Sequence, residues 1–148
     1  FIRHPATFIS SLWKHRSKVK SNKFGKQWNW QKYIRLESEC GDSDYNQFVE
    51  NILSGTDYVY DYYKHYTKKY PNVQFCKMEN LVEELVSILS KNNEDFDQER
   101  MKRDTSIIGS NHITKKPSTL NGSMTKDQMS RLVNISEKKL CERFKYEV

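Results

Sequence analysis

Several features that would define a protein class at once are scarce or missing in this chain of 148 residues. Only 5 Gly and 3 Pro are present, which excludes collagen-like and linker-like compositions. No run approaches 18 consecutive apolar residues, and the basic first twenty residues lack an apolar core, so neither a membrane-spanning helix nor a signal peptide is predicted. The 3 Cys, at positions 40, 76 and 141, form no CxxC pair. They favour free thiols in a reducing compartment and leave one disulfide open.

The first three residues of the chain, Phe1-Ile2-Arg3, have the pattern of the end of a strand. The chain also starts with Phe1 and not with Met. We therefore expect a piece of a longer protein. The 148 residues suit one domain with a core of its own.

Positive charge is concentrated in the first quarter of the chain. Residues 1–36 contain nine Lys or Arg and no acidic residue, whereas residues 37–148 carry 16 basic and 19 acidic residues. Such a concentration attracts anions, phosphates above all. Aromatic side chains on which a base can stack are interleaved with it: Trp13, Phe24, Trp28, Trp30 and Tyr33. One interpretation is a nucleic-acid-binding or polyanion-binding module, and the other is a solvated basic face with aromatics packed beneath it.

Hydrophobic spacing predicts a succession of helices with one strand between them. Pro5 suits the first turn of a helix that runs to about residue 17, and helical spacing recurs over residues 45–53, 58–70 and 81–89. Residues 18–42 are polar and predict a long loop or short helical pieces. Val73–Met78 is typical of a short strand. The order of helix, strand and helix predicts an α/β layer fold with parallel strands.

The last third of the chain contains a long polar segment. Residues 94–104 are highly charged and predict a short surface helix, and residues 104–123 show no periodicity. A structureless stretch of that length is usually disordered or functional. Thr125 and Gln128 then form a capping box that begins the final helix.

The candidate ligand site lies at the start of the chain. Arg3 follows the predicted strand end, where open α/β sheets bind ligands, and a guanidinium can bind two phosphate oxygens at once. Ser11 lies eight residues later on the following helix, within reach of the same anion. The two residues thus predict a phosphate clamp. His4 either touches the ligand or caps the helix.

These residues resemble a known family. An Arg-x-Pro segment followed by Ser eight positions after the Arg is similar to the 3′-phosphate-binding segment of sulfotransferases, which use 3′-phosphoadenosine-5′-phosphosulfate as sulfuryl donor. The resemblance extends to three further segments: the aromatic-centred helix at Tyr45–Leu53, the strand, turn and helix beginning at Val73–Leu81, and the closing helix from Ser123–Gln128 to Phe144–Glu147. We therefore identify the chain as resembling the C-terminal portion of a sulfotransferase.

The resemblance implies a P-loop NTPase-like three-layer fold with a parallel sheet, of which this helix-rich portion is a part. It implies that Arg3 and Ser11 bind the 3′-phosphate of the donor nucleotide. It further implies that the loop before Thr125 folds over the nucleotide, with Lys115 and Lys116 as additional phosphate contacts. The donor nucleotide is then the only cofactor, with no metal. The acceptor is expected to be a small molecule or a carbohydrate, with no nucleic acid partner and no membrane span, and the oligomeric state is unknown.

Two elements of the family are expected before Phe1. The resemblance places there the loop that holds the 5′-phosphosulfate and, between that loop and the Arg-x-Pro segment, the catalytic base. The histidines at 4, 15, 65 and 112 do not lie where that base is expected. The catalytic residues are therefore unknown, and the chain alone is expected to be inactive. A P-loop kinase relative is an alternative, which a GxxxxGK[ST] loop upstream would indicate.

Two features of the sequence bear on localisation: glycosylation sequons and the cysteine pattern. Glycosylation sequons begin at Asn121 and Asn134 and leave the Golgi lumen open for a carbohydrate-modifying relative. The cysteine pattern favours the cytoplasm.

Overall fold

The chain is mostly helical in a computed structural model that describes residues 1–16, 20–22, 25–27, 30–70, 72–104 and 123–147. These residues form two compact units. The first unit contains residues 1–3 and 72–104, and the second contains residues 4–16, 20–22, 25–27, 30–70 and 123–147.

The first unit is built around one backbone pairing. The Ile2 N–H donates to the Cys76 carbonyl and the Met78 N–H donates to the Ile2 carbonyl, each at 2.8 Å, which makes an isolated parallel bridge between Ile2 and Lys77. A 3-10 turn, Met78–Asn80, leads into helix α5, Leu81–Lys91. Residues 98–104 form a further helix, α6, whose first turn is capped by the Asp97 carboxylate accepting from the Arg100 N–H at 2.8 Å.

The second unit contains the remaining described elements. They are α1 (Pro5–Arg16), the antiparallel strands β1 (Lys20–Asn22) and β2 (Gly25–Gln27), α2 (Arg35–Cys40), α3 (Tyr45–Leu53), α4 (Tyr58–Thr67), α7 (Lys126–Arg131) and α8 (Lys138–Phe144). A π-helical turn, Leu132–Ser136, joins α7 to α8. The core packs the apolar faces of these helices together, and its fully buried side chains include Ile9, Leu36, Phe48, Ile52, Leu132 and Leu140.

Local signals in the sequence explain several helix boundaries. Pro5 begins α1, and Ser54-Gly55 follows the end of α3, both as predicted. The capping box is present, because the Thr125 hydroxyl accepts from the Gln128 N–H at 3.1 Å and the Gln128 side chain accepts from the Thr125 N–H at 2.9 Å. The predicted helices over residues 81–89 and 94–104 correspond to α5 and α6.

The predicted parallel-sheet α/β fold is wrong for the described residues. Their only sheet is the antiparallel β1–β2 hairpin, and the segment predicted as a strand, Val73–Met78, contributes a single bridge residue, Lys77. A parallel strand is stable only with neighbours that satisfy its backbone groups along its length. Ile2 is the one pairing partner here, so the apolar alternation of residues 73–78 yields extended chain and not a strand. The P-loop-like three-layer architecture is therefore not present in the described part of the chain.

Other boundaries also differ from the sequence expectations. Residues 18–42 were expected to form a long loop or short helical pieces; α2 is such a piece, whereas the β1–β2 hairpin was not expected. Helix α4 ends at Thr67 and not near Tyr70, and the final helix is divided by the π-helical turn. The long polar segment lies outside the described residues from position 105 to 122.

Candidate functional site

The segment that carries the predicted phosphate clamp begins in the first unit. Ile2 is completely buried, and both of its backbone hydrogen-bonding groups pair with residues 76 and 78. Arg3 is the next residue and is partly buried. Its main chain is therefore fixed on one side by a buried, hydrogen-bonded neighbour.

His4 anchors the start of α1 in the second unit. Its Nδ1 accepts from the Ala6 N–H at 3.3 Å, while Nε2 lies 3.0 Å from the Glu147 carbonyl oxygen. A carbonyl can only accept, so the tautomer that satisfies both contacts carries its proton on Nε2. The Tyr146 ring meets the imidazole edge-on, with centroids 5.2 Å apart. His4 thus caps the helix, as one of the two sequence interpretations predicted, and both ring nitrogens are engaged by main-chain groups.

The four predicted nucleotide-binding residues are distributed as follows. Arg3 belongs to the first unit, and Ser11 is exposed on α1 in the second unit. Lys115 and Lys116 lie outside the described residues. The clamp and the loop contacts therefore stay predictions.

The sequence analysis missed a buried carboxylate at the centre of the second unit. Glu137 is completely buried, and its two carboxylate oxygens accept from the Val59 N–H at 2.8 Å and the Tyr60 N–H at 3.1 Å. These amides belong to the first turn of α4. Asp57, which precedes that turn, has a left-handed backbone (φ 62°), makes no side-chain cap, and donates its N–H to the Ser136 carbonyl at 2.7 Å. Glu137 therefore supplies the cap for a helix that lies 78 residues earlier in the chain.

Two opposing effects act on the Glu137 carboxyl. Burial raises its pKa to about 7, the two N–H donors work in the opposite direction, and the nearby Asp57 and Asp61 carboxylates raise it slightly further. The two hydrogen bonds from backbone N–H groups to this carboxyl hold the start of α4 in place. One sequence signal could have found it: Glu137 lies four residues from Val133 in an otherwise apolar face.

The basic first quarter contributes to the core as well as to the surface. Arg16 is buried, and its guanidinium contacts the completely enclosed Glu37 carboxylate at 2.9 and 3.1 Å. The second Glu37 oxygen also accepts from the Gln31 N–H at 2.9 Å. The charge of Arg16 is thus balanced inside the protein by Glu37 and does not add to the positive charge of the surface.

The aromatics of that quarter are also partly internal. Trp13 is buried and donates its indole N–H to the Asp42 carbonyl at 3.1 Å, and Trp30 packs on Phe48 with ring centroids 5.1 Å apart. Tyr33 is 70% exposed. The other two aromatics of the stacking hypothesis, at positions 24 and 28, lie outside the described residues. Of the three described, one offers a stacking surface to solvent.

None of the described helices is long and apolar enough to cross a bilayer. In the same part of the chain, no three His, Cys, Asp or Glu side chains are grouped as they would be around a metal ion.

Comparisons with protein-family models, with curated proteins and with solved structures found no match.

Proposed function

We propose that this chain is the nucleotide-binding C-terminal portion of a sulfotransferase, with Arg3 and Ser11 binding the 3′-phosphate of 3′-phosphoadenosine-5′-phosphosulfate. The observation that carries the proposal is the Ile2–Lys77 bridge, which fixes the main chain directly before Arg3, followed by the start of α1 at Pro5. The resemblance expects a full strand before the Arg; the structure has a single bridge residue there, and the succession of that residue, Arg3 and α1 supports the proposal.

The proposed roles are positional. A guanidinium can donate two parallel hydrogen bonds to a phosphate, and a serine hydroxyl can add a third. In sulfuryl transfer, a new bond forms between the acceptor oxygen or nitrogen and sulfur while the bond from sulfur to the 5′-phosphate breaks. The acceptor's proton passes to a general base. The resemblance assigns that base and the 5′-phosphosulfate loop to sequence ahead of Phe1, so Arg3 and Ser11 hold the nucleotide and take no part in bond chemistry.

Calorimetric titration tests the nucleotide site directly. We expect adenosine 3′,5′-bisphosphate to bind at least tenfold more tightly than adenosine 5′-monophosphate, because a charge-assisted phosphate contact contributes about 1.5–3 kcal/mol. Arg3→Ala should abolish that preference. Ser11→Ala, which removes one neutral donor, should weaken it by about fivefold.

The chain offers a matched control for the loss of one Arg. Arg100 lies in the same unit as Arg3, is exposed, and pairs only loosely with Asp104 at 3.6 Å. Arg100→Ala should leave the preference for the bisphosphate unchanged. Equal, weak binding of both nucleotides by all variants would contradict the proposal and favour a general polyanion surface. A salt-dependent loss of nucleotide affinity that is equal in Arg3→Ala and Arg100→Ala would also contradict the proposal and favour a general polyanion surface.

For the compartment, we propose the cytoplasm. Cys40, Cys76 and Cys141 are all free and buried, which suits a reducing environment. The alternative is the Golgi lumen, where the Asn134 sequon would carry a glycan. Asn134 is exposed, but the Ser136 of that sequon is buried in the π-helical turn. Mass spectrometry of the protein from its native source would show an unmodified Asn134 under the proposal and a glycan under the alternative.

A further inference from the structure

A separate cavity of about 280 Å³ lies beside α2 and α4 in the second unit. None of the residues assigned to the nucleotide lines it, so an inference from it does not depend on the proposed function. Its volume suits one ring with a small substituent. Its lining comprises Tyr33, Ile34, Arg35, Asp61, Tyr62, Lys64, His65 and Lys68.

The charge of this lining is positive. The lining contains three cations, Arg35, Lys64 and Lys68, and one carboxylate, that of Asp61. Arg35 also pairs with Glu39, outside the lining, at 3.4 Å, which leaves one positive charge in excess. The Arg35 guanidinium holds the Asp61 carboxylate at 3.0 Å. Neither lysine is ion-paired with any residue that the structure describes. Lys64 lies on α4, and Lys68, four positions later, is its C-cap residue and keeps helical backbone angles (φ −56°, ψ −24°), so the two side chains start from the same side of the helix.

Tyr33 adds a flat, apolar surface to this charge. Its side chain is 70% exposed, and its ring lies 6.0 Å from the His65 ring at an interplanar angle of 34°. Tyr62, by contrast, packs edge-on against Phe8 at 4.9 Å and is held by the core. An exposed aromatic ring beside unpaired cations is an arrangement that binds a ring through one face and an anion through its substituent.

We propose that this cavity binds a small ring compound that carries a phosphate or sulfate group, with the ring on Tyr33 and the anion between Lys64 and Lys68. The site lies near the C-terminal end of α4, whose carbonyl groups repel an anion, and the two lysines offset that repulsion. For a ligand with about ten non-hydrogen atoms we expect a Kd of about 1 mM.

Nuclear magnetic resonance titration of the whole chain with four probes tests this assignment. Phenyl phosphate and phenyl sulfate carry both a ring and an anion, and comparing them shows whether the site prefers a phosphate or a sulfate group. Phenol lacks the anion, and inorganic phosphate lacks the ring. We expect saturable shifts of the Tyr33, Lys64, His65 and Lys68 amides with one or both of the phenyl esters, and at least tenfold weaker binding of phenol and of inorganic phosphate.

Paired variants separate the two contributions. Lys64→Ala combined with Lys68→Ala should weaken phenyl ester binding about tenfold, whereas Lys69→Ala, next to the cavity but outside its lining, should change it by less than twofold. Tyr33→Ala should weaken it about tenfold and Tyr33→Phe should not. All of these side chains are exposed, so we expect their substitutions to leave the fold intact.

Two results would overturn the proposal. One is an inorganic phosphate affinity equal to that of the phenyl esters, with no effect of Tyr33→Ala, since that describes surface charge alone. The other is an equal loss in Lys69→Ala and in the double lysine variant.

Discussion

The buried Glu137 carboxylate makes the stability of the second unit depend on pH in an unusual direction. Its pKa is raised from 4.5 to about 7, first by burial. Because the native carboxyl binds its proton at higher pH than the unfolded chain does, the native state holds more protons between pH 4.5 and 7. The contribution of this group is therefore fully present below pH 4.5, and the free energy of unfolding falls as pH rises towards 7.

The magnitude follows from the same pKa. A rise from 4.5 to about 7 corresponds to about 3 kcal/mol of stability lost across that interval and little change above it. Glu137→Gln removes the titration, because an amide is neutral at every pH, while its carbonyl oxygen can still accept from Val59 or Tyr60. The wild-type stability minus the Glu137→Gln stability should therefore fall by about 3 kcal/mol between pH 4.5 and 7.5. Subtracting the variant cancels the titration of all other groups.

Urea unfolding followed by circular dichroism at several pH values measures this difference. Glu142→Gln is the matched control, since Glu142 lies on α8, which Glu137 directly precedes, but is exposed and paired with Lys138 at 3.6 Å. Its difference from wild type should stay within about 0.5 kcal/mol at every pH. A wild-type advantage over Glu137→Gln that is constant with pH, or that grows as pH rises, would refute the reasoning.

Two further predictions concern buried groups. Arg16→Ala should destabilise the protein by about 3–5 kcal/mol in urea unfolding, because it leaves the Glu37 carboxylate buried without its cation. Replacing both Arg16 and Glu37 by apolar residues of similar size should recover most of that lost stability. Failure to recover it would show that the ion pair itself is needed. Burial raises the pKa of Cys40 and of Cys141 to about 12, so at pH 8 neither native thiol should react with iodoacetamide. Mass spectrometry should detect both as alkylated only after denaturation, and rapid labelling of either in the native protein would contradict the burial.

Helices with local signals could be predicted from the sequence. Pro5, the Ser54-Gly55 pair and the Thr125–Gln128 capping box each act within one or two turns of the chain, so their effect can be derived from neighbouring residues. Short helical pieces were expected within residues 18–42, and α2 is one of them, but its bounds could not be predicted because its six residues are too few to show a period. Its N-cap, Ile34, makes no side-chain hydrogen bond.

Features that depend on distant residues could not be predicted. Whether Val73–Met78 becomes a strand depends on which segments lie beside it, and the described chain offers Ile2 alone. The role of Glu137 was hidden for the same reason, since the amides that it caps are 78 residues away. Of the candidate ligand residues, only His4 had a local role, capping α1, that the structure can test.

The π-helical turn between α7 and α8 has a consequence for how this region can change in length. Buried positions recur every four residues through it: Leu132, Val133, Ser136, Glu137, Leu140 and Cys141. A turn closed by a bond from the Glu137 N–H to the Leu132 carbonyl is wider than an α-helical turn, and it keeps positions four apart on the same side. Inserting one further residue, which the already widened turn cannot absorb, would rotate all of α8 by about 100°. Leu140 would turn towards water and Glu137 away from α4, so we expect natural variants to substitute residues in this turn but not to lengthen it.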